Sequence, residues 1–380
     1  MQSAAGRKKS KRKTKGLLVR NELSYFVLVP TIAMLLIGLV MVFSAGSAIG
    51  VNIGRGGYML FAWQCGWALL GFGLMVILSR IDYHKLAKVS WLAVLVSVVL
   101  LVLVPIMGKE VGGARRWLAV GGFTVQPTEI AKFALVIFAA YALALRGDKV
   151  KRFVHLVVPV LLLAVLEAGL IMLQPDMGST IVMCLSVMVM LVICKSKASH
   201  LVLIGGVGVT ASVAMMFAAP YRRARLLSFI NPWSSPRGAG YHVIQSYIAL
   251  GTGHIKGVGL GMSRQKFLYL PNAHTDFIFA IIGEELGILG TMVVVCLVAL
   301  LGYAGWRIAR RAPDELGRLL AAGITSLIVI QALVNMGGVT GLLPITGVPL
   351  PLVSFGGSSL CACMACIGIL LNVAAQCRNR

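Results

Sequence analysis

Long uncharged apolar runs constrain this 380-residue chain more than any other feature. Segments 23–50, 56–79, 89–108, 198–219 and 352–377 contain no Asp, Glu, Lys or Arg. Each is long enough to cross ~30 Å of hydrocarbon as an α-helix, which takes ~20 residues. The runs are continuous and do not alternate, so they predict helices and not the strands of a barrel. The chain is 58% hydrophobic and 12% charged, whereas a soluble globular domain carries ~25% charged residues. The expected fold is all-α: a polytopic membrane protein with about ten transmembrane helices and a large extracytoplasmic loop between helices 7 and 8. The spans fall at 23–45, 58–79, 87–107, 126–145, 153–173, 177–194, 198–219, 277–306, 319–343 and 352–376.

Charge sets the orientation. An even number of spans puts both termini on one side, and that assignment gives the cytoplasmic segments 23 of the 35 Lys and Arg residues. Eight of them precede the first span. The positive-inside rule then makes both termini cytoplasmic. The expected organisation is a basic cytoplasmic tail (1–20), one membrane domain (21–377, with its large loop at 220–275) and a short cytoplasmic C-terminus (378–380). The first run is too long for the ~7 to 15 residues of a signal h-region, so it reads as an uncleaved span.

A net charge of +23 could suggest nucleic acid. The position of the tail next to a membrane span argues instead for anionic lipid headgroups, and no nucleic-acid partner is expected. The basic residues that fall on the outer side are clustered. Lys109, Arg115, Arg116 and Lys132 form one group; Arg222, Arg223, Arg225, Arg237, Lys256, Arg264 and Lys266 lie in loop 220–275, which has no Asp or Glu. Such a surface beside the bilayer suits a phosphate or diphosphate at headgroup level, or simply anionic lipid. Seven of the eight cysteines lie inside predicted spans, so no disulfide framework is implied. Cys361, Cys363 and Cys366 cannot all aim at one ion from a helix, and they read as small packing residues.

Several polar groups sit where apolar residues belong. The uncharged part of the fourth span, 133–145, is too short to cross, so the helix must take in Gln126, Glu129 and Lys132. Glu129 and Lys132 stand at i and i+3 and can neutralise each other, either in a working site or as a packing ion pair. Gln174 and Asp176, around Pro175, break the chain between two spans; they face a cavity, or Asp176 caps the next helix. Segment 344–351 and the following 355–359, which includes Ser358, read as irregular backbone that lines a pocket or makes a tight turn. The glycines of 251–261 match no nucleotide fingerprint and read as a close-packed loop. In 270–287, Asp276, Glu284 and Glu285 stand beside a long apolar helix, although the chain owns only 12 acidic residues. Glu284 and Glu285 are expected at the outer boundary of that helix. Asp276 is either a base beside a cationic cavity or part of a Thr275-Asp276 helix cap.

Taken together, GGARRW, QPTEIAKF, QPDMGST, NPWSSPRGAGYHVIQS, GMSRQKFLYLPNAHTDFIFAIIGEELG and LLPITGVPLPLVSFGGSS, in that order from about residue 112 to 359, resemble the SEDS family. These are bacterial membrane glycosyltransferases that polymerise lipid II into peptidoglycan. The wording around HTDF is similar to the division and sporulation branches more than to the elongation branch. The resemblance implies a ten-span fold with termini inside, at the plasma membrane, and a role in septal cell-wall synthesis. It makes Asp276 the catalytic aspartate, and it implies a class B penicillin-binding protein and other divisome membrane proteins as partners. One departure is Asn272, where the family often has Glu.

The residues and the resemblance together predict a substrate-binding set of Arg115, Arg116, Gln126, Glu129, Lys132, Gln174, Asp176, Arg222, Arg223, His274 and Ser358. The implied reaction is a single inverting displacement at an α-linked sugar diphosphate. It needs one base and several cations, not the paired carboxylates of a glycosidase. A divalent cation (Mg2+ or Mn2+) would be compatible, and no residue pattern locates one. The competing functions are a lipid II transporter, which needs polar groups continuing to the cytoplasmic side, and a non-catalytic divisome scaffold.

Overall fold

The computed structural model describes residues 22–53, 58–111, 114–120, 123–147, 160–218, 220–267 and 269–377. The basic tail 1–20, the C-terminus 378–380 and the start of the fifth predicted span lie outside them. The helices are α1 (Glu22–Ile53), α2 (Tyr58–Arg80), α3 (Tyr83–Lys88), α4 (Ser90–Met107), α5 (Pro127–Arg146), α6 (Leu162–Met172), α7 (Met177–Ile193), α8 (Ala198–Ala218), α9 (Pro220–Ile230), α10 (Tyr241–Gly253), α11 (Ile278–Arg311), α12 (Glu315–Val339) and α13 (Gly357–Gln376). Among the described residues eight of these are long and apolar enough to cross a membrane, and α6 and α7 are shorter apolar helices. The chain is a multi-pass membrane protein.

The most enclosed helices are α5, α12 and α13. They owe their central place to small and branched residues on every face, as in Ala321, Ala322, Ile324 and Ile328 of α12. Around them α2 packs on α13, α4 on α5, α7 on α12, and α11 on both α12 and α1. By contrast α8 buries none of its residues; its chief neighbours are α7 and α9. An apolar helix with so little protein around it is a lipid-facing one.

A small sheet is added to the expected all-α fold, and the large loop is more regular than expected. Residues 109–125 form a three-stranded antiparallel sheet, β1 (Lys109–Val111), β2 (Ala114–Val120) and β3 (Phe123–Val125), in the order β1-β2-β3. Its register pairs Glu110 with Arg115 and Leu118 with Val125. Loop 220–275 is largely folded, as α9, a 3-10 turn at Pro232–Ser234, and α10. Helix α10 buries Val243, Ser246, Ala249 and Gly253, spaced three or four apart, against α11.

Helix α11 is broken. Gly287 has φ +67° and ψ −163°, which no helix contains, so 278–286 is a short separate helix ahead of the long span. Only glycine fits: a Cβ at Gly287 would collide with the Ile255 carbonyl oxygen. The glycine-rich loop splints the break. Val258 N and Gly259 N donate to the carbonyls of Glu284 and Glu285, while Ile288 N and Leu289 N donate to those of His254 and Ile255. Two orphaned groups at each of the two helix ends are thereby satisfied.

Candidate active site

Asp276 stands just ahead of the short helix in a turn closed on the Asn272 carbonyl, which accepts from Thr275 N and Phe277 N. Asn272, in the place where the resemblance expects Glu, has φ +57°, a conformation that Asn tolerates better than most residues. Three consecutive carbonyls of this turn are held by other elements. The oxygen of His274 accepts from Phe355 N at 2.9 Å, that of Thr275 from Ser354 Oγ at 2.7 Å, and that of Asp276 from Asn335 Nδ2 at 2.8 Å. Asn335, on α12, also donates to Val348 O at 2.8 Å. The irregular segment around Pro344–Pro351 and the polar face of α12 therefore fix the backbone of the turn and leave the carboxylate free to work.

The helix-cap reading of Asp276 fails here. The N-cap position belongs to Phe277, and no side chain caps this helix. Among the described residues the Asp276 carboxylate accepts no hydrogen bond. It lines a cavity of about 70 Å³, together with Arg225, Ser228, His242, Asn272 and Gly347. Gly347 is left-handed (φ +74°), and a Cβ on it would lie 3.5 Å from Asp276 Oδ2. Burial pushes the Asp276 carboxyl up, Arg116 opposes, Asp176 adds and Arg225 opposes, to a balance of about 6. The nearby His242 is held below the ordinary histidine value by burial and by Arg225, and His274 by burial alone. At neutral pH the site thus holds an ionised carboxylate that feels two guanidinium groups, with both nearby imidazoles uncharged.

Arg115 and Arg116 diverge because strand residues alternate in direction. Arg115 points outward: it donates to Pro105 O at 3.3 Å and its guanidinium lies 3.9 Å from Glu110. Arg116 points inward, donating from Nε to Gln174 O at 3.0 Å and from Nη2 to Pro175 O at 2.6 Å. The break at 174–176 supplies the carbonyls that hold this arginine. Asp176 is the N-cap of α7, accepting from Ser179 N at 3.0 Å, and Gln174 donates to Leu101 O at 3.1 Å while accepting from Thr128 Oγ1.

Other predicted site residues lie elsewhere. Glu129 and Lys132 form a wholly enclosed pair at 2.8 Å. Lys132 Nζ also donates to Gln331 Oε1 at 2.8 Å, and Ser359 Oγ donates to Glu129 Oε2 at 2.9 Å. This pair ties α5 to α12 and α13 and does not line the cavity. Gln126 N donates to Ser358 Oγ, and Ser358 sits in the first turn of α13, so 357–359 is helical where irregular backbone was expected. Arg222 donates back to Met215 O at 3.3 Å, and Arg223 is exposed. Arg225, on the face of α9 that also bears Ser228 and Phe229, is the loop arginine in the cavity wall. Glu284 and Glu285, expected at the outer boundary of the long span, are buried within the protein at its start. Glu167 is also buried, with Ser97 Oγ donating to it at 2.8 Å.

Sequence reasoning left Arg225, Asn335 and Gly347 out of the site, and Gln331 out of the enclosed cluster around Lys132. A signal existed for two of them: Gln331 and Asn335 are polar residues at i and i+4 in an apolar span, a spacing that puts both on one face. A divalent cation finds little here. Among the described residues no three of His, Cys, Asp and Glu gather as ligands, and Asp176, the carboxylate near Asp276, already spends Oδ1 on Ser179 N.

The comparisons with known proteins agree with one another. Residues 25–379 match the family model FTSW_RODA_SPOVE, described as cell cycle protein. The chain is 41% identical over 351 residues to stage V sporulation protein E of Bacillus subtilis (strain 168), covering 92% of this chain and 96% of that protein. It is 39% identical over 357 residues to the probable peptidoglycan glycosyltransferase FtsW of Geobacter sp. (strain M18), covering 93% and 97%. Among solved structures, it matches a chain of a peptidoglycan synthase complex studied for the structural coordination of polymerization and crosslinking, with a TM-score of 0.73, 28% identity, and 92% and 96% of the two chains covered. It also matches the rod shape determining protein RodA of Thermus thermophilus, with a TM-score of 0.69, 27% identity, and 93% and 98% covered.

Proposed function

Since the chain belongs to the FtsW/RodA/SpoVE family of cell cycle proteins, we propose that it is the peptidoglycan glycosyltransferase of septal wall synthesis, polymerising lipid II with Asp276 as general base. The observation that carries this reading is a carboxylate relieved of capping duty, pinned through its own backbone, and set in a cavity wall with Arg225, with Arg116 near enough to act on its charge.

In the reaction, Asp276 accepts the proton of the acceptor sugar 4-hydroxyl as that oxygen bonds to C1 of the donor sugar. The bond from C1 to the diphosphate oxygen breaks, its electron pair leaves on undecaprenyl diphosphate, and the anomeric centre inverts. Arg116 and Arg225 neutralise the charge that grows on the leaving group, which removes the need for a protonating acid. Lys132 is spent on Glu129 and Gln331, so its part is to hold α5 in place. Arg115 and Arg223 are exposed at the same end and suit the diphosphate and headgroups during approach.

The charge distribution supports termini inside the plasma membrane and Asp276 outside it. A class B penicillin-binding protein is the partner this reading expects, along with other divisome membrane proteins; the similarity to a chain of a synthase complex supports it. The test uses purified protein in lipid vesicles, given lipid II and its partner synthase, with products resolved by chain length. Glycan strands that grow only with the intact Asp276 site support the assignment. Movement of lipid II across the bilayer without polymer supports a transporter, and neither activity leaves a scaffold.

A further inference from the structure

The helix break poses a mechanical problem. Residue 287 is non-helical, so the short helix 278–286 does not inherit its direction from the long span that follows. That short helix nevertheless carries Asp276 just ahead of its first turn. Main-chain bonds from Val258 N and Gly259 N hold the carbonyls of its far end, and a buried polar cluster of side chains sits at the same place. Lys266 Nζ donates to Glu285 Oε1 at 3.0 Å, to Ser44 Oγ at 3.0 Å and to Gly261 O at 2.6 Å. Ser44 Oγ, on α1, donates to the same Glu285 oxygen at 2.6 Å. The Lys266 and Glu285 side chains are 1% and 0% exposed. Beside them Glu284 accepts from Ser263 Oγ and from the backbone N of Arg264 and Gln265.

We propose that Lys266, Glu285 and Ser44 are positioning residues for Asp276, a latch that clamps the far end of the short helix to α1 and to the returning loop. Asp276 and Glu285 are nine positions apart, about 14 Å along a helix. A tilt of about 4° at the latch therefore moves the carboxylate by about 1 Å, and a misplacement of that size costs about a hundredfold in rate. Charge explains why the cluster is enclosed and paired: a buried lysine with one carboxylate partner tolerates no slippage, because separating the two strands a charge. Neither Lys266 nor Glu285 touches the cavity, so their part is played through Asp276. This inference rests on reading Asp276 as the base.

The test compares the wild-type protein with Lys266→Met, Glu285→Gln, the double variant and Ser44→Ala, in vesicles with lipid II and the partner synthase. Each single charge variant lowers kcat by about 10- to 100-fold and leaves KM within about threefold. The double variant, which strands no charge, regains about tenfold over the worse single one. The acid limb of the kcat profile also moves toward lower pH, as the loosened turn admits water to Asp276. Ser44→Ala strands no charge and keeps the question open to test if the charge variants do not fold; its kcat falls about threefold with the same displacement of the limb. Wild-type kcat with an unmoved limb in Ser44→Ala, or a loss in the charge variants that only follows the folded fraction, overturns the latch. An Asp276→Asn protein assayed alongside separates the two readings. If it is active, the base assignment fails and the latch with it; if it is inactive while Lys266→Met and Glu285→Gln keep wild-type kcat, the latch alone fails.

Discussion

Asn335 donates from Nδ2 to the main-chain oxygen of Asp276 at 2.8 Å, and so aims the carboxylate without touching it. The same amide holds Val348 O at 2.8 Å. Asn335→Leu removes both bonds and leaves two enclosed carbonyls unpaired, at about 1 to 3 kcal/mol each. The expected outcome is a lower melting temperature and a polymerisation rate reduced at least tenfold, read by thermal unfolding and by glycan-length analysis of the same sample.

Gly347→Ala tests the cavity wall. The residue has φ +74°, and its new methyl would stand 3.5 Å from Asp276 Oδ2. The backbone strain costs about 1 to 2 kcal/mol, and the methyl occupies space that the acceptor hydroxyl needs. Turnover is expected to fall more than stability does, which parallel assays of rate and melting temperature would resolve.

The Glu129–Lys132 pair predicts a non-additive pattern. Both side chains are fully enclosed, so Lys132→Met or Glu129→Gln alone strands a charge and costs about 3 to 5 kcal/mol. The double variant is expected to recover most of that loss. A double-mutant cycle on folded yield and melting temperature measures the coupling, and simple additivity would refute the enclosed pair.

Acidity should affect activity and stability in opposite directions. Burial raises the Asp276 carboxyl to about 6, against Arg116 and Arg225. A base must be ionised, so kcat is expected to rise with pH through about 6 and level off above it. The stability linkage has the other sign: a folded carboxyl with a raised value binds its proton more tightly than the unfolded one. Its contribution to stability is therefore full below the unfolded value of ~4 and declines as pH rises through about 6. Asp276→Asn is accordingly expected to melt at or above the wild-type temperature at pH 7.5.

The legible part of the molecule was the part written in hydrophobic runs and in charge. Uncharged segments gave most of the membrane helices directly, and the short core of the fourth span correctly drew Glu129 and Lys132 into α5. The three-stranded sheet escaped because two of its strands are only three residues long and show no period to read. The burial of Glu284 and Glu285 escaped for a different reason. Helical periodicity runs straight through Gly287, so neither the break nor the loop that folds back under it could be seen, and that loop is what buries both carboxylates. Asp276 itself could be picked out, but its two roles could not be separated until the N-cap position was found at Phe277.

The most direct measurement is lipid II polymerisation by the Asp276→Asn protein at pH 7.5, reconstituted in vesicles with its partner synthase beside the wild type. The amide keeps the shape of the side chain and its backbone tethers to Asn335, and removes only the proton-accepting charge. The account predicts folded protein that binds lipid II and forms no glycan strands. Strands of normal length at the wild-type rate would contradict it.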